Sequence, residues 1–228
     1  AKIVLYQEQR FKTFSRQLQW ALAEYDRIAA AVIPATSVIL RPHFTDMEYK
    51  LRPGMVTLTW TSMNIDSFVT HVQSGLRRLD ELVSNVNDVV ENRIEKNLNV
   101  VSKCLLVDLP DNASFTVSDF VDMQRRHTAV KSSMLQEKNA EIEHAVDDLI
   151  EKISSYQFES PNERVLDHDV ARLKEHYNHF IYQALLNSSK NSLNALKKRM
   201  ASKGGASSIL NSSKPFFEVD VQLVPPSG

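Results

Sequence analysis

Apolar residues recur every three or four positions along most of the chain, and this spacing predicts amphipathic α-helices. The first stripe predicts a helix over 4–32 that stops before Pro34. Its members are Val4, Phe11, Phe14, Leu18, Leu22, Tyr25, Ile28 and Val32. A shorter stripe predicts a second helix over 36–51, provided that Pro42 lies within its first turn. Together the two stripes predict a helical hairpin over residues 1–52.

A proline and a glycine follow this hairpin, and they predict a break in the helical pattern. The side chains over 56–61 alternate at a period of two, which predicts a short extended segment within a link over 53–64. A large aromatic residue in such a segment, Trp60, is expected to anchor the link onto the bundle. The positions predicted to end one helix, pin the link and start the next helix are structural, and they are Pro53, Gly54, Trp60, Asn64 and Ile65.

Helical spacing then continues over 65–203 and predicts a bundle of long helices. The first of these has about forty residues and spans 65–105, which is long for a globular protein. Turn-forming residues separate it from two further helices over 118–156 and 165–201. Only 5 glycines occur in 228 residues, so the chain has few positions at which a many-stranded fold could turn.

Beyond this bundle, the pattern over 204–228 predicts a Ser-rich linker that leads into a strand-like C-terminal segment. The predicted fold class is all-α, an elongated bundle of long antiparallel helices with short extended segments near 56–61 and 216–224. The chain starts within a helical pattern without an initiator methionine and stops after an unfinished strand-like run. We therefore expect a piece of a longer polypeptide.

The overall charge gives no reason to expect nucleic acid or an anionic membrane as a partner. The formal net charge is −1, and acidic residues are interleaved with the basic clusters of the predicted helices. No window approaches the roughly 18–20 apolar residues that a membrane-spanning helix needs. The single cysteine, Cys104, excludes an internal disulfide, and its apolar neighbours predict that it is buried. These features favour a cytosolic protein that binds other proteins.

Sequence motifs for catalysis are absent or incomplete. The chain contains no phosphate-binding GxxxxGK[ST] loop and no GxSxG nucleophile motif. One predicted helix carries a Glu-x-x-His pair, Glu141 with His144, of the kind that binds metal in di-metal bundles. The last helix offers only Glu175 directly before His176, which is the wrong spacing, so half of the ligand set is missing. We therefore predict no catalytic residue, no cofactor-binding residue and no metal ligand in this chain.

The residues of the Pro-Gly segment resemble those of a known family. Residues 51–68, LRPGMVTLTWTSMNIDSF, are similar to a segment that precedes a long helix in the tail of axonemal dynein heavy chains. The resemblance continues in DELVSNVND (80–88), HYNHFIYQA (176–184), SLNALKKR (192–199) and PFFEVD (215–220). It covers most of the chain but lies in helical segments and not in catalytic motifs. It implies that all the predicted segments belong to one longer heavy-chain tail, and it favours the outer-arm type over the inner-arm type.

By this resemblance, the chain is a structural tail or stem segment of a microtubule motor subunit. The resemblance implies a place in the cytoplasm and cytoskeleton, in the axoneme of a cilium or flagellum. The implied partners are dynein intermediate chains, light chains and neighbouring heavy chains, with the doublet microtubule as an indirect partner, and neither nucleic acid nor a membrane. The segment itself is expected to be neither an enzyme nor bound to a cofactor, because the ATP-hydrolysing ring of the family lies elsewhere in the polypeptide.

The physical pattern by itself leaves two alternatives to this interpretation. One is a helical adaptor or a protein-binding bundle of another class. The other is a di-metal helical-bundle enzyme, which would require bound iron or manganese.

Overall fold

The computed structural model describes residues 2–58, 62, 64–110 and 115–202, and the strand-like segment near 216–224 lies outside them. Within the described ranges the regular structure is helical throughout, which confirms the predicted all-α class. The helices are α1 (Lys2–Ala30), α2 (Ser37–Val56), α3 (Ile65–Val89), α4 (Lys96–Lys103), α5 (Val117–Ser154) and α6 (Asp167–Ser202). No single helix in the described part of the chain is long and apolar enough to cross a membrane. The bent pair formed by α1 and Pro34–Val56, with an angle of 102°, meets these criteria of length and composition.

The prediction that Pro42 lies in a first helical turn is wrong. A 3₁₀ turn over Pro34–Thr36 leads directly into α2, and Pro42 is buried in the second turn of α2. An interior proline costs a helix about 3 kcal/mol because it lacks an N–H group. Leu40 and Met47, on either side of this proline, are fully buried. Burial of each such side chain contributes about 1.5–3 kcal/mol, so packing outweighs the local preference.

The predicted helix break at Pro53 and Gly54 is also wrong. Helix α2 continues through both residues and ends at Val56, where two N–H groups beyond the helix donate to Pro53 O at 3.0 and 2.8 Å. The extended segment predicted over 56–61 therefore begins as helix and turn. Trp60 lies outside the described residues.

Gly54 is a close-packing position between helices. A Cβ atom at Gly54 would lie 2.7 Å from Phe68 Cε1 and 3.2 Å from Leu18 Cδ1, so the glycine allows α2 to approach both α1 and α3. Gly75 of α3 makes a second close approach, since a Cβ atom there would lie 3.0 Å from Met47 Sδ. Tertiary packing at these positions overrides the weak helix propensity of glycine.

Helix α3 begins at Ile65, which is buried, and Asn64 occupies the turn directly before it. The Asn64 side chain makes no capping hydrogen bond, although its backbone carbonyl accepts from Phe68 N at 3.0 Å. The helical path continues from α3 through a π-helical turn, Val90–Glu95, into α4. The helix predicted over 65–105 is therefore present up to Lys103, with a wider turn in its middle.

The chain divides into two compact units, each built from separate stretches of sequence. Of the described residues, the first contains those within 2–97 and 140–180, and the second contains those within 98–139 and 181–202. In the first unit α1 and α2 both pack against α3. Its most deeply buried side chains include Ile28, Leu40, Met47, Leu76, Leu79, Ile94, Ile142, Leu149 and Ile153. A cluster of buried residues in the second unit comprises Val101, Cys104, Leu135 and Ala184, which confirms the predicted burial of the cysteine.

The substitution Gly54→Ala is expected to lower the free energy of unfolding by about 1 kcal/mol. Helix propensity favours alanine by about 1 kcal/mol. Overpacking costs about 1–3 kcal/mol, and here the Phe68 ring that would have to move already packs edge-on against Phe14, with centroids 6.2 Å apart. Urea unfolding measures the change.

Gly75→Ala is the matched control for this substitution. Its Cβ atom would meet the flexible side chain of Met47, which can adjust, so we expect no loss of stability. A Gly54→Ala chain that is as stable as the Gly75→Ala chain would contradict the packing role of Gly54.

Candidate functional site

Three polar side chains lie on the buried side of α2, where a helical bundle normally carries apolar residues. They are His43, Asp46 and Lys50, and spacings of three and four residues place them on one side of the helix. His43 and Asp46 are 0% exposed and Lys50 is 4% exposed. All three face the connector between α5 and α6, residues 155–166. We call the meeting point the connector joint, and its members are His43, Asp46, Lys50, Tyr156, Phe158, Glu159 and Ser160.

The carboxylate of Asp46 is the centre of the connector joint. The backbone N–H groups of Glu159 and Ser160 both donate to its Oδ1 at 2.7 Å, and Lys50 Nζ lies 2.8 Å from its Oδ2. Burial alone would raise the pKa of Asp46, but the hydrogen bonds from Lys50 and from the two N–H groups outweigh burial and hold this pKa below its usual value. The carboxylate is therefore ionised at neutral pH, and it fixes two consecutive backbone amides of the connector.

Lys50 supplies the matching positive charge. Burial alone would lower the pKa of Lys50, but the hydrogen bond to Asp46 and the proximity of Tyr156 raise it above its usual value. Its Nζ donates to the Tyr156 hydroxyl at 3.4 Å, lies 3.3 Å from Glu159 Oε1 and stands 5.6 Å from the centroid of the Tyr156 ring. The ammonium group therefore binds the connector through two side chains while it neutralises Asp46.

His43 occupies the other end of the joint as a neutral ring. Its Nε2 lies 2.9 Å from Ile153 O, and because a carbonyl only accepts, this contact assigns the ring proton to Nε2. The Tyr156 and Phe158 rings each have a centroid 4.8 Å from that of the imidazole. Burial lowers the pKa of His43, against the opposing effects of the Ile153 contact and the charge of Asp46.

Glu159 forms the exposed rim of the joint. Its carboxylate accepts from His71 Nε2 at 2.8 Å and lies 3.9 Å from Arg78 Nη2. A surface cavity of about 430 Å³ adjoins this rim, and its lining includes Pro53 and Phe68. Acids and bases are paired throughout the joint, so its arrangement serves to hold chain segments in position.

None of the five predicted site residues belongs to the connector joint. Pro53 lines the adjoining cavity, Gly54 packs against α1 and α3, and Asn64 and Ile65 lie at the start of α3. Trp60 lies outside the described residues. The structural roles predicted for these positions stay predictions, apart from the helix break, which the structure contradicts.

The sequence does contain a signal for the joint: a row of mostly polar residues at helical spacing. Ile39, His43, Asp46 and Lys50 occur at intervals of four, three and four, which is the same spacing that marks an apolar stripe. The apolar stripe of α2, which includes Leu40 and Met47, runs beside this row and does not contain its polar members. A carboxylate and a lysine four residues apart on a helix also occur on exposed surfaces, so the spacing alone does not reveal burial.

The Glu-x-x-His pair on α5 lies in a hydrogen-bonded cluster that contains an arginine. Arg93 Nη1 lies 2.6 Å from Asp148 Oδ2, and His144 Nδ1 lies 3.1 Å from the other oxygen of the same carboxylate. Glu141 accepts from Asn97 Nδ2 at 3.0 Å. Among the residues that the structure describes, no three His, Cys, Asp or Glu side chains form a group that could hold a metal ion.

In the second unit, polar side chains hold the non-helical segment that follows α4. Ser188 of α6 donates to Cys104 O at 2.8 Å, and the Ser192 hydroxyl accepts from Leu106 N at 2.8 Å. Thr128 of α5 donates to Leu106 O at 3.2 Å. The helix predicted to reach residue 105 ends earlier, and these side chains supply the hydrogen bonds that the helix would have supplied.

Comparison with known proteins identifies a family for this chain. Residues 1–68 match the family model described as "Dynein heavy chain, N-terminal region 1". The whole chain is 39% identical over 230 residues to "Dynein gamma chain, flagellar outer arm" of Chlamydomonas reinhardtii, and it covers 5% of that relative. It is 31% identical over 140 residues to "Dynein axonemal heavy chain 5" of Mus musculus, a match that covers 61% of this chain and 3% of the relative. These matches confirm the resemblance found in the sequence, and the chain spans about a twentieth of the length of the first relative.

Asp46→Asn is expected to lower the free energy of unfolding by about 3 kcal/mol, because it leaves Lys50 as a buried charge without its main partner. Glu8→Gln is the matched control, since Glu8 and Lys12 have the same spacing but side-chain exposures of 59% and 64%, against 0% and 1% for Asp46 and Lys50. The control is expected to cost about 0.3–0.5 kcal/mol. Equal losses in urea unfolding of the two variants would contradict the central role of Asp46.

His43 is expected to make the chain less stable as the pH falls below about 6.5. The pKa of His43 is lowered in the folded chain, so between that value and 6.5 the unfolded chain binds a proton that the folded chain does not. The free energy of unfolding then falls by about 1.4 kcal/mol per pH unit from this group. Urea unfolding from pH 7.5 to 5 measures this slope.

His43→Gln is expected to remove this part of the pH dependence while it keeps an N–H donor for Ile153 O. The control is His144→Gln, because the His144 side chain is largely exposed. If His43→Gln and the original chain lose stability with the same slope, His43 is not a buried neutral group in the folded chain.

Proposed function

Because the chain belongs to the dynein heavy-chain family and matches its N-terminal region, we propose that it is a structural segment of the tail of an axonemal heavy chain. The observation that carries this proposal is the 39% identity to a flagellar outer-arm gamma chain over the whole of this chain. In the proposal, the segment binds intermediate chains, light chains and neighbouring heavy chains, and it transmits force between a motor ring and the doublet microtubule. The ATP-hydrolysing ring is elsewhere in the polypeptide, and the place of action is the axoneme of a cilium or flagellum.

The connector joint supports a mechanical role for the first unit. A connector that was held only by apolar contacts could slide, because apolar contacts have little directionality. The carboxylate of Asp46 accepts from two consecutive amides and thereby selects one position of the connector on α2. A segment that transmits force requires such fixed positions between its helices.

The exposure of the N-terminal part of α1 is the observation that supports the proposed binding of other subunits. Phe14 of α1 lies against Phe68, near the first turn of α3, and Leu18 lies beside Gly54, near the end of α2. Residues 3–11, which we call the α1 overhang, therefore extend past the ends of both neighbouring helices. Its apolar side chains are exposed, at 74% for Ile3, 65% for Val4, 67% for Leu5, 68% for Tyr6 and 50% for Phe11.

The faces of the α1 overhang indicate what kind of partner would cover it. Val4 and Phe11 are seven residues apart on one face, and Leu18 continues that face where α2 covers it. Between residues 3 and 16 the chain has one acidic residue, Glu8, and three basic ones, Arg10, Lys12 and Arg16. We therefore propose that the α1 overhang binds an apolar groove between helices of another dynein subunit, with acidic residues on its rim.

Val4→Glu combined with Phe11→Glu tests this function. Each purified chain is mixed with a purified axonemal dynein intermediate chain, a light chain or the tail of a neighbouring heavy chain, and binding is measured by sedimentation. The original chain is expected to bind at least one of these subunits. The double variant is expected to bind that subunit at least about tenfold more weakly, because two apolar anchors become charged.

Val130→Glu is the control, because Val130 is also exposed, at 68%, but lies on α5 in the second unit. Circular dichroism verifies that all three chains remain helical. Failure of the original chain to bind any of the subunits would favour the helical adaptor of another class. Undiminished binding by the double variant would place the docking surface elsewhere.

A further inference from the structure

Ser160 is followed by Pro161, and this is the only Ser-Pro or Thr-Pro pair in the 228 residues. A serine directly before a proline is the minimal pattern that proline-directed protein kinases accept. The proline also disfavours the α-helical conformation for the serine before it. Ser160 lies in the connector, in a bend between α5 and α6, and it is partly exposed. The chain thus offers one position at which such a kinase could act.

Ser160 is also a member of the connector joint. Its own backbone N–H donates to Asp46 Oδ1 at 2.7 Å. The Cα atom that carries its side chain is bonded directly to this nitrogen. The preceding residue, Glu159, adds a second carboxylate at the rim. A charge added to Ser160 would therefore be carried by a residue whose own amide is bound to the negative Asp46 carboxylate and whose neighbour in the chain, Glu159, is also acidic.

We propose that Ser160 is a phosphorylation site, and that its phosphorylation releases the connector from α2. In the modification, the Ser160 hydroxyl oxygen attacks the γ-phosphorus of ATP. A new O–P bond forms, the bond from that phosphorus to the bridging oxygen breaks, and ADP leaves. The hydroxyl proton passes to the base of the kinase. The proposal concerns the regulation of the joint and does not depend on the identity of the dynein partners.

The charges of the joint determine the sign of the effect. Before modification, Asp46 and Glu159 face Lys50 and Arg78, with His71 at the rim, so acids and bases are nearly in balance. A phosphoserine adds a charge of about −1.5 to −2. Lys50 is already shared between both carboxylates, and repulsion from a phosphate weakens the bonds that hold the two amides to Asp46. The connector is therefore expected to detach.

The test begins with the intact 228-residue chain, a purified proline-directed kinase and ATP. Tandem mass spectrometry is expected to place one phosphate on Ser160, and Ser160→Ala and Pro161→Ala are expected to prevent it. Limited digestion with trypsin then reports release, because Arg164 lies in the same connector. Cleavage after Arg164 is expected to be at least about tenfold faster in the phosphorylated chain, since proteases cut locally opened segments.

Ser155→Glu is the matched control for charge, because Ser155 lies in the same connector but its backbone is not bound to Asp46. Ser160→Glu is expected to accelerate cleavage after Arg164, and Ser155→Glu is expected to leave it unchanged. A peptide of residues 155–166 verifies that the kinase accepts the motif. Phosphorylation of the peptide without any phosphate on Ser160 of the intact chain would overturn the proposal. So would phosphorylation of the intact chain with an unchanged rate of cleavage.

Discussion

A carboxylate that is removed from water must have its charge paired and its oxygens hydrogen-bonded, or it destabilises the fold. Asp46 meets this requirement with the ammonium group of Lys50 and with two backbone amides of the connector. Each partner depends on the others, because a buried lysine without Asp46 loses its main counter-charge and the two amides without it lose their acceptor. This mutual dependence determines where the chain passes from α5 to α6 in the first unit.

We infer that the joint selects a unique position of the connector more than it adds to total stability. Apolar residues of similar volume can often replace a buried ion pair without loss of stability. Such a replacement would leave the amides of Glu159 and Ser160 without an acceptor, and it would not select one position of the connector on α2. The close approaches at Gly54 and Gly75 also favour a unique position, since they allow α2 only a narrow range of positions against α3. For a tail segment that is proposed to carry load, such defined geometry is the relevant property.

Much of the fold could be predicted from the sequence because long helices have strong apolar periodicity. The last two helices, predicted over 118–156 and 165–201, occur as α5 and α6 with ends shifted by no more than two residues. The prediction failed at Pro53 and Gly54, where local propensity indicated a break and packing against Phe68 and Leu18 continued the helix. The dynein resemblance was recognisable because it lies in the order of residues and does not depend on their contacts.

The connector joint could not be predicted, for a different physical reason. Asp46 and Glu159, whose amide donates to the Asp46 carboxylate, are 113 residues apart in the sequence, so no local pattern connects them. On α2 alone, Asp46 and Lys50 have the spacing of an ordinary exposed ion pair, such as Glu8 and Lys12. The buried pair, Asp46 and Lys50, differs from the exposed pair, Glu8 and Lys12, because the connector packs against it.

The most direct test of the central role of Asp46 is native-state hydrogen exchange of the connector amides. The amides of Glu159 and Ser160 are expected to exchange as slowly as the core amides of α2, because both donate to a buried carboxylate. The amide of the exposed neighbour Gln157 is expected to exchange rapidly, which provides the internal reference. Exchange of Glu159 and Ser160 at the rate of Gln157 would show that the connector is not held at Asp46 and would contradict the account.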